Sequence, residues 1–474
     1  MPRRVQVPER QFVSLVAVDI GTSTVKAAVL DLETLSLRHV TGVPFPPPLA
    51  GRPRLFHEVD PQVVVNSVKA LIAGLLRLAP DCSGIVMCGQ MGGLILVDDR
   101  GEPQSNYVSW QDQRLLMPHP SGGRSYFDAL RWRLSPERQV QLGREISPGH
   151  TSAILFWLKE AGQRVSQGLY GSSLADFVVA NLCRTPPAAN ATICVGMLDF
   201  QTGDWHRDVF AELGIEEFAW PALRDFREPV GTLQDGASAA PCYTAVGDHQ
   251  CALAGAFLRE GELSLNISTG SQVSLLTRKY LPGDYQTRPY FDGLFLNTIT
   301  HIPAGRALNV LLRLLRELTE AQELDLRDPW PYITREASRV VDSDLRVDLA
   351  FFSGPVGERR CMSNISEANL TIGHVYHAAF RNMADNYSRC AARLAHSGVW
   401  NDLALSGGLV RKIGVLRGLI VEAFRCLYRI APSTEDTLLG LMALALVIEG
   451  RAVNVAEAAE VLRRHESRFA VGGE

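Results

Sequence analysis

The chain has 474 residues, too many for one ordinary hydrophobic core and suited to two or three domains. Hydrophobic residues make up 46% and charged residues 21%, ordinary for a globular protein, and a net charge of −4 offers no basic surface to nucleic acid or an anionic membrane. Nine scattered cysteines without a Cys-x-x-Cys pair signal neither a zinc site nor a disulfide framework, and point to a reducing, cytoplasmic setting. The first ten residues lack an apolar signal core. The longest apolar run, 437–448, is too short to span a bilayer and reads as a buried helix. No nucleic-acid or membrane partner is expected, and a homodimer is left open.

Apolar runs over 12–18 and 25–32 predict two strands joined by a tight turn with Asp19 at its lip. Gly21 lets the backbone approach a ligand, and Thr22, Ser23 and Thr24 offer hydroxyls and N–H groups at the bend. Such a turn suits phosphate oxygens, and a carboxylate beside it suits Mg²⁺ through water. A plain hairpin is the competing reading. Residues 44–53 form a Pro-rich loop, after which Asp60 caps a helix with Pro61 at its first position, running to about 78. Strands over 83–88 and 94–97 flank the loop Gly89, Gln90, Met91, Gly92, Gly93. A short strand over 106–110 leads to Trp110, Gln111, Asp112, Gln113 and Arg114. An indole face suits sugar C–H groups, and the neighbouring carboxylate and guanidinium suit hydroxyls. A salt bridge between those two charges is the alternative.

Helices are expected over 135–142, 151–161 and 169–183. A strand over 192–200 turns at Thr202 and Gly203 into a helix ending near Gly214, and 221–239 is loop-rich. A strand over 242–246 delivers Gly247, Asp248, His249 and Gln250 to a small-residue helix over 251–258. Asp248 can accept a proton from a substrate hydroxyl as it attacks a γ-phosphate, with His249 or Gln250 orienting the hydroxyl. Alternatively, Asp248 simply caps the helix.

Strands over 262–268 and 271–277 enclose a second small-hydroxyl turn, Ser268, Thr269 and Gly270, about half a chain from the first. The pair looks like an internal duplication in which each half contributes one phosphate-gripping hairpin. A strand over 291–299 and a helix over 307–319 follow, with Gly305 and Asn309 as a candidate nucleotide wall. Residues 320–363 read as an irregular insertion. Thr371 caps a long helix ending near 398. A strand over 403–405 reaches Ser406, Gly407 and Gly408, which with Arg411 and Lys412 suit adenine and ribose on bare backbone. Helices over 412–425, 436–449 and 454–465 complete the chain, and the alternation of strands and helices points to α/β layers.

The order and spacing of these motifs over roughly 13–450 resemble the FGGY family of carbohydrate kinases. The first phosphate turn is similar to 19–26, the sugar loops to 89–93 and 110–114, and the catalytic Gly-Asp-Gln-Gln pattern to 247–250. The second phosphate turn is similar to 268–270 and the adenosine motif to 406–408. The resemblance implies an α/β fold of two actin-like (ribonuclease H-like) domains related by internal duplication, with an interdomain nucleotide cleft. Residues 11–248 would be the sugar- and phosphate-binding domain and 249–470 the nucleotide-binding domain. The implied activity is ATP-dependent phosphorylation of a terminal hydroxyl of a ketose, with ATP and Mg²⁺ as cofactors.

Asp248 is the implied base, and Asp19 with Asp248 the implied metal ligands. The sugar would lie against Gln90, Met91, Trp110, Asp112, Arg114, Asp248 and His249. The implied ATP contacts are Gly21, Thr22, Ser23, Thr24, Lys26, Thr269, Gly270, Gly305, Asn309, Gly407, Gly408 and Lys412. Within the family, 247–251, 265–269 and 288–291 read like the sedoheptulokinase branch, which implies sedoheptulose as acceptor and sedoheptulose 7-phosphate as product. A xylulokinase, another sugar or polyol kinase, and a non-catalytic sugar or nucleotide sensor are the alternatives. Three residues depart from the family pattern. Gly92 stands where xylulokinase-like members carry His, His249 stands where Gln is commoner, and Lys412 replaces a polar residue near adenine.

Overall fold

The structure is a computed structural model that describes residues 13–470 other than 236–237, 325–326, 353, 358–359, 397 and 433–434. The chain forms two compact units. The first takes its described residues from Met1–Phe257, Pro289–Asp292 and Glu435–Glu474, the second from Leu258–Arg288 and Gly293–Thr434.

The first unit is built on β1 (Ser14–Ile20), β2 (Thr24–Asp31), β3 (Ser36–Pro44), β4 (Cys82–Gly89), β5 (Pro229–Asp235), β6 (Ser238–Tyr243) and β7 (Val246–Gly247). The sheet order is β5-β6-β4-β1-β2-β3, with β7 also paired to β4. β1 runs antiparallel to β2 and parallel to β4, while β6 and β7 are parallel to β4. Every residue of β1 is buried, as expected for a central strand covered on both faces. β3 is an edge strand with mostly exposed side chains.

The sheet packs against α1 (Pro61–Leu78) and α3 (Leu174–Cys183), with α2 (Thr151–Glu160) in the same core and α4 (Asp248–Gly255) following β7. α1 starts as expected: the Asp60 carboxylate accepts from Gln62 N and Pro61 is the first helical residue. By length and composition α1 could cross a membrane, but its stripe of Val64, Val65, Val68, Leu71, Ile72 and Leu75 lies in the core of this unit.

The second unit contains β8 (Glu262–Ile267), β9 (Ser271–Thr277), β10 (Gln286–Pro289), β11 (Phe295–Ile302), β12 (Asp402–Ser406) and β13 (Leu427–Ile430), in the order β10-β11-β9-β8-β12-β13. β8 is antiparallel to β9, β9 to β11, β8 is parallel to β12, and β12 to β13. The run β11-β9-β8-β12-β13 therefore repeats the pairing pattern of β3-β2-β1-β4-β6 in the first unit. This is the internal duplication read from the paired turns. The helices of this unit are α5 (Gly305–Ala321), α6 (Ile372–Leu394), α7 (Gly408–Lys412) and α8 (Gly414–Phe424).

The chain then rejoins the first unit through α9 (Asp436–Ile448) and α10 (Val455–Ala470). α9 packs backbone to backbone on α4. A Cβ at Gly440 would lie 1.9 Å from Cys251 O, and one at Gly255 would lie 1.8 Å from Asp436 O. Glycine at both positions is what permits this approach.

The expected helix over 169–183 begins only at Leu174, after a short strand at Tyr170–Ser172, and three further expectations need correction. Residues 192–200 form no continuous strand: Asn190 Oδ1 accepts from Thr192 N and Oγ1, winding Ala191–Ile193 into a 3₁₀ turn, and only Leu198–Asp199 is extended. A local side-chain cap there overrides β-branched propensity. Residues 221–239 are less irregular than expected. They contain β5 and the start of β6, whose Gly- and Pro-containing sequence tolerates a bulged sheet edge. The segment 320–363 carries a helix, Trp330–Ser338, with Ile333 and Ala337 buried.

Asp176, in the first turn of α3, is buried with Ser173 as its hydrogen-bond partner. Ser173 Oγ donates to Oδ2 at 2.7 Å, while Oδ1 has no partner among the described residues. Burial pushes its carboxyl up to about 8, so it is mostly protonated at neutral pH. Because the folded value lies above the unfolded one, the folded state binds the extra proton between pH about 4 and 8. Stability therefore falls as pH rises through that window, by on the order of 5 kcal/mol in total. Asp176→Asn should remove this part of the decline in melting temperature between pH 5 and 8.5. A variant whose pH profile matches wild type would show that Asp176 does not titrate there.

Candidate active site

The parallel strands of the first unit set the site. In register, Asp19 lies beside Cys88 and Ile20 beside Gly89, while Val246 and Gly247 flank the same two residues on the other side. With parallel strands about 4.8 Å apart, the ends of β1 and β7 are separated by about 10 Å, with β4 between them. Asp19, Gln90 and Asp248 thus lie at or just beyond the C-terminal ends of neighbouring strands of one sheet.

Asp19 is buried. Thr437 Oγ1, from α9, donates to its Oδ2 at 2.7 Å, and the Cys88 thiol lies 3.6 Å from Oδ1. Burial raises the Asp19 pKa, partly offset by these two hydrogen bonds. Such a carboxylate gains from a nearby cation. Asp248 is half-buried and is the first residue of α4, with Gly247 as the N-cap. The capping alternative for Asp248 therefore does not describe its position. Burial pushes the Cys88 thiol well up, and its neighbour Cys251 and the charges of Asp19 and Asp248 add to that. His249 is buried. Gln250 Nε2 donates to Thr192 O at 2.9 Å and to Pro289 O at 3.0 Å, tying the start of α4 in place.

The loop after β4 forms one wall. Tyr107 OH donates to Gln90 Oε1 at 3.1 Å, while Gln90 Nε2 is buried without a partner among the described residues. An unmatched buried amide costs on the order of 1–3 kcal/mol, which a ligand oxygen would recover. A Cβ at Gly247 would lie 2.7 Å from Met91 Sδ, so Met91 abuts the residue before Asp248. Trp110 Nε1 donates to Thr22 Oγ1 at 3.2 Å, joining the indole to the first turn. Thr22 and Thr24 are half-buried and Ser23 is exposed at that turn. Gly21 sits where a Cβ would lie 3.0 Å from Thr24 O.

Three of the expected ligand contacts have partners within the protein. Asp112 is fully buried. Its carboxylate accepts from His57 N, Arg114 N, Arg114 Nε and Arg114 Nη2 at 2.7–2.9 Å. Arg114, 3% exposed, also donates to Glu58 Oε1 at 2.7 Å and lies over the rings of Phe56 and Trp157. Burial is why this pairing is so complete: neither charge can be left uncompensated there. The pair shapes the turn that carries Trp110. Lys26 Nζ donates to Glu435 Oε2 at 2.7 Å.

In the second unit, the parallel ends of β8 and β12 are in register, Asn266 beside Ser406. The turn 268–270 is exposed and docks on the start of α5, where Gly305 N donates to Ser268 O at 3.1 Å and Arg306 N to Thr269 O at 2.8 Å. Gly407 has φ +91°, and a Cβ there would lie 2.3 Å from Ile267 O, so β12 passes into α7 hard against β8. A Cβ at Gly305 would lie 3.4 Å from Leu409 Cδ1, which brings α7 beside α5. Thr269, Gly270, Gly305, Gly407 and Gly408 therefore form one group of little side-chain bulk. Asn309 is one helical turn beyond Gly305, and Lys412 ends α7; both are exposed.

Thr437, Tyr107 and Glu435 bond residues of this group and have no counterpart in the sequence reading. Thr437 and Glu435 lie more than 400 residues from the groups they bond, beyond any local pattern.

Residues 14–255 match the family model described as FGGY family of carbohydrate kinases, N-terminal domain. Among curated proteins, the chain is 24% identical to a xylulose kinase of Staphylococcus xylosus over 47% of this chain and 44% of that one. It spans about half the length of the curated relatives it matches. Among solved structures, glycerol kinase of Plasmodium falciparum with ADP aligns with a TM-score of 0.79 at 15% identity, covering 95% of this chain and 92% of that chain. A xylulose kinase of Rhodospirillum rubrum aligns with a TM-score of 0.77 at 19% identity, covering 97% and 98%. The structural matches share the two-domain, actin-like α/β fold.

Proposed function

This chain belongs to the FGGY family of carbohydrate kinases, and on that premise we propose that it transfers the γ-phosphoryl group of ATP to a terminal hydroxyl of a neutral ketose. The observation that carries this reading is the row of strand ends from which Asp19, Gln90 and Asp248 emerge. In the transfer, the sugar O–H bond breaks and its proton passes to the Asp248 carboxylate. The freed oxygen bonds to the γ-phosphorus, the bond from that phosphorus to the bridging oxygen breaks, and ADP leaves. Gln90 Nε2 donates to a sugar oxygen, and the Trp110 indole packs on sugar C–H groups. Thr22, Ser23 and Thr24 meet phosphate oxygens with hydroxyls and N–H groups. Thr269, Gly270, Gly305, Asn309, Gly407, Gly408 and Lys412 form the surface for the nucleotide.

Asp19 and Asp248 also fit Mg²⁺. They are hard oxygen donors, Asp19 is a buried carboxylate that favours a cation, and Mg²⁺ commonly uses one or two carboxylates plus water and phosphate oxygens. When bound, the ion would neutralise phosphate charge. Thr437 and Cys88 keep the Asp19 oxygens oriented for it.

A neutral acceptor is favoured because two carboxylates stand at these strand ends and the guanidinium of Arg114 is already paired. Sedoheptulose is the first acceptor to try, from the similarity of 247–251 and 288–291 to that branch, and xylulose the second. The test is ADP release by the full chain over ketoses of five to seven carbons, polyols and a sugar acid, with sugar binding followed by calorimetry. Sugar-dependent ADP release, strongest with a ketose, is expected. Sugar binding without turnover would make the chain a sensor, and sugar-independent hydrolysis would make it an ATPase.

A further inference from the structure

The N-cap of α4 is Gly247, which has no side chain to bond the first turn. The start of this helix, and with it Asp248, is held by Thr192, 55 residues before Gly247. Gly247 N donates to Thr192 Oγ1 at 3.1 Å, and Gln250 Nε2 donates to Thr192 O at 2.9 Å. One residue thus fastens the chain on both sides of Asp248.

Chemistry fixes the direction of each bond. Asn190 Oδ1 accepts from Thr192 N at 3.1 Å and Asn190 Nδ2 donates to Arg224 O at 2.9 Å, so this amide faces only one way. The Thr192 hydroxyl has a single hydrogen. It goes to Asn190 Oδ1 at 2.8 Å, which leaves a lone pair for the Gly247 N–H. Gln250 Nε2 meets two carbonyls, Thr192 O and Pro289 O, so its donor side is fixed as well. Thr192 and Gln250 are both buried, which shields these bonds from water. A Cβ at Gly247 would lie 2.5 Å from Gln250 Oε1, 2.7 Å from Met91 Sδ and 2.7 Å from Thr192 O. The 3₁₀ turn Ala191–Ile193, found where a strand was expected, brings both Thr192 oxygens to this point.

We propose that Thr192 is a positioning residue for the phosphoryl transfer, whose hydroxyl and carbonyl set where the Asp248 carboxylate stands against the acceptor hydroxyl. A base must be within hydrogen-bond reach of the proton that it takes, and a displacement of about 1 Å is enough to cost about 10²-fold in rate. This rests on the reading of Asp248 as the base.

The experiment compares wild type with Thr192→Val, Thr192→Ser and Asp60→Ala, and Asp248→Asn with Asp248→Asn plus Thr192→Val. Each is followed by steady-state kinetics on the best ketose, melting temperature, and backbone hydrogen exchange over 246–250. Thr192→Val keeps the shape of the side chain and removes the hydroxyl. It should lower kcat by about 10–100-fold, with KM for sugar and ATP little changed and exchange over 246–250 faster. Thr192→Ser should recover most of kcat. Asp60→Ala, which removes the cap of α1, is the destabilised control and should lower the melting temperature with kcat unchanged. Since Thr192 acts through Asp248, adding Thr192→Val to Asp248→Asn should cost little further. Should Thr192→Val not fold, Asn190→Ala, which lets the hydroxyl turn away from Gly247, takes its place with a smaller loss of the same kind. Wild-type kcat in Thr192→Val, full additivity with Asp248→Asn, or unchanged exchange over 246–250 overturns the assignment. Faster exchange there in a chain that releases no sugar-dependent ADP would keep Thr192 as the anchor of this turn and remove only the reading of Asp248 as a base.

Discussion

Asp248→Asn is expected to lower kcat by about 10²–10⁴-fold at saturating sugar and ATP, the usual worth of a positioned general base. The substitution keeps the shape of the side chain and removes its ability to take a proton. Asp248 sits half-buried at the start of α4, where loss of its charge near the helix N-terminus costs only about 0.3–1 kcal/mol. The melting temperature should therefore move little while turnover collapses. KM for the sugar should change far less than kcat, since Gln90 and Trp110 remain. Near-wild-type turnover in this variant on the best acceptor would remove Asp248 from the chemistry. A fall in kcat accompanied by a large loss of stability would assign the residue a structural role instead.

The second large effect is expected at Arg114, and it falls on folding. Arg114→Ala should destabilise the first unit by about 3–5 kcal/mol in urea denaturation, because it leaves Asp112 and Glu58 without their buried cation. It also empties the space between Phe56 and Trp157. The double variant Arg114→Met with Asp112→Asn should recover part of the loss, since it removes one stranded charge and refills the space. A single-variant cost below about 1 kcal/mol, with a raised KM for sugar, would return Arg114 to the acceptor pocket.

Asp112 and Arg114 illustrate how far a local sequence can be read. An indole, a carboxylate and a guanidinium within five residues suit a sugar. Whether the charges face a ligand or each other depends on burial, and burial of this pair comes from Phe56, Glu58 and Trp157, distant in sequence. The strand 192–200 failed for a smaller reason, one Asn side chain that bonds the backbone two residues on. By contrast the first hairpin, the Asp60 cap of α1, and the strand-to-helix passage at Gly247 and Asp248 were legible, because each is made by contiguous residues.

The sequence by itself determined the alternation of strands and helices, the two small-hydroxyl turns and the acid at the start of α4. All of these follow from periodicity, turn chemistry and capping within a dozen residues. Only the tertiary structure decided that 435–448 returns to the first unit to place Thr437 on Asp19 and Glu435 on Lys26. It also decided that Arg114 is an internal cation and that the His150 ring packs over Gly92. Those outcomes depend on close packing between segments far apart in the chain, such as Gly440 against Cys251, and no local pattern encodes which distant surface a segment will meet.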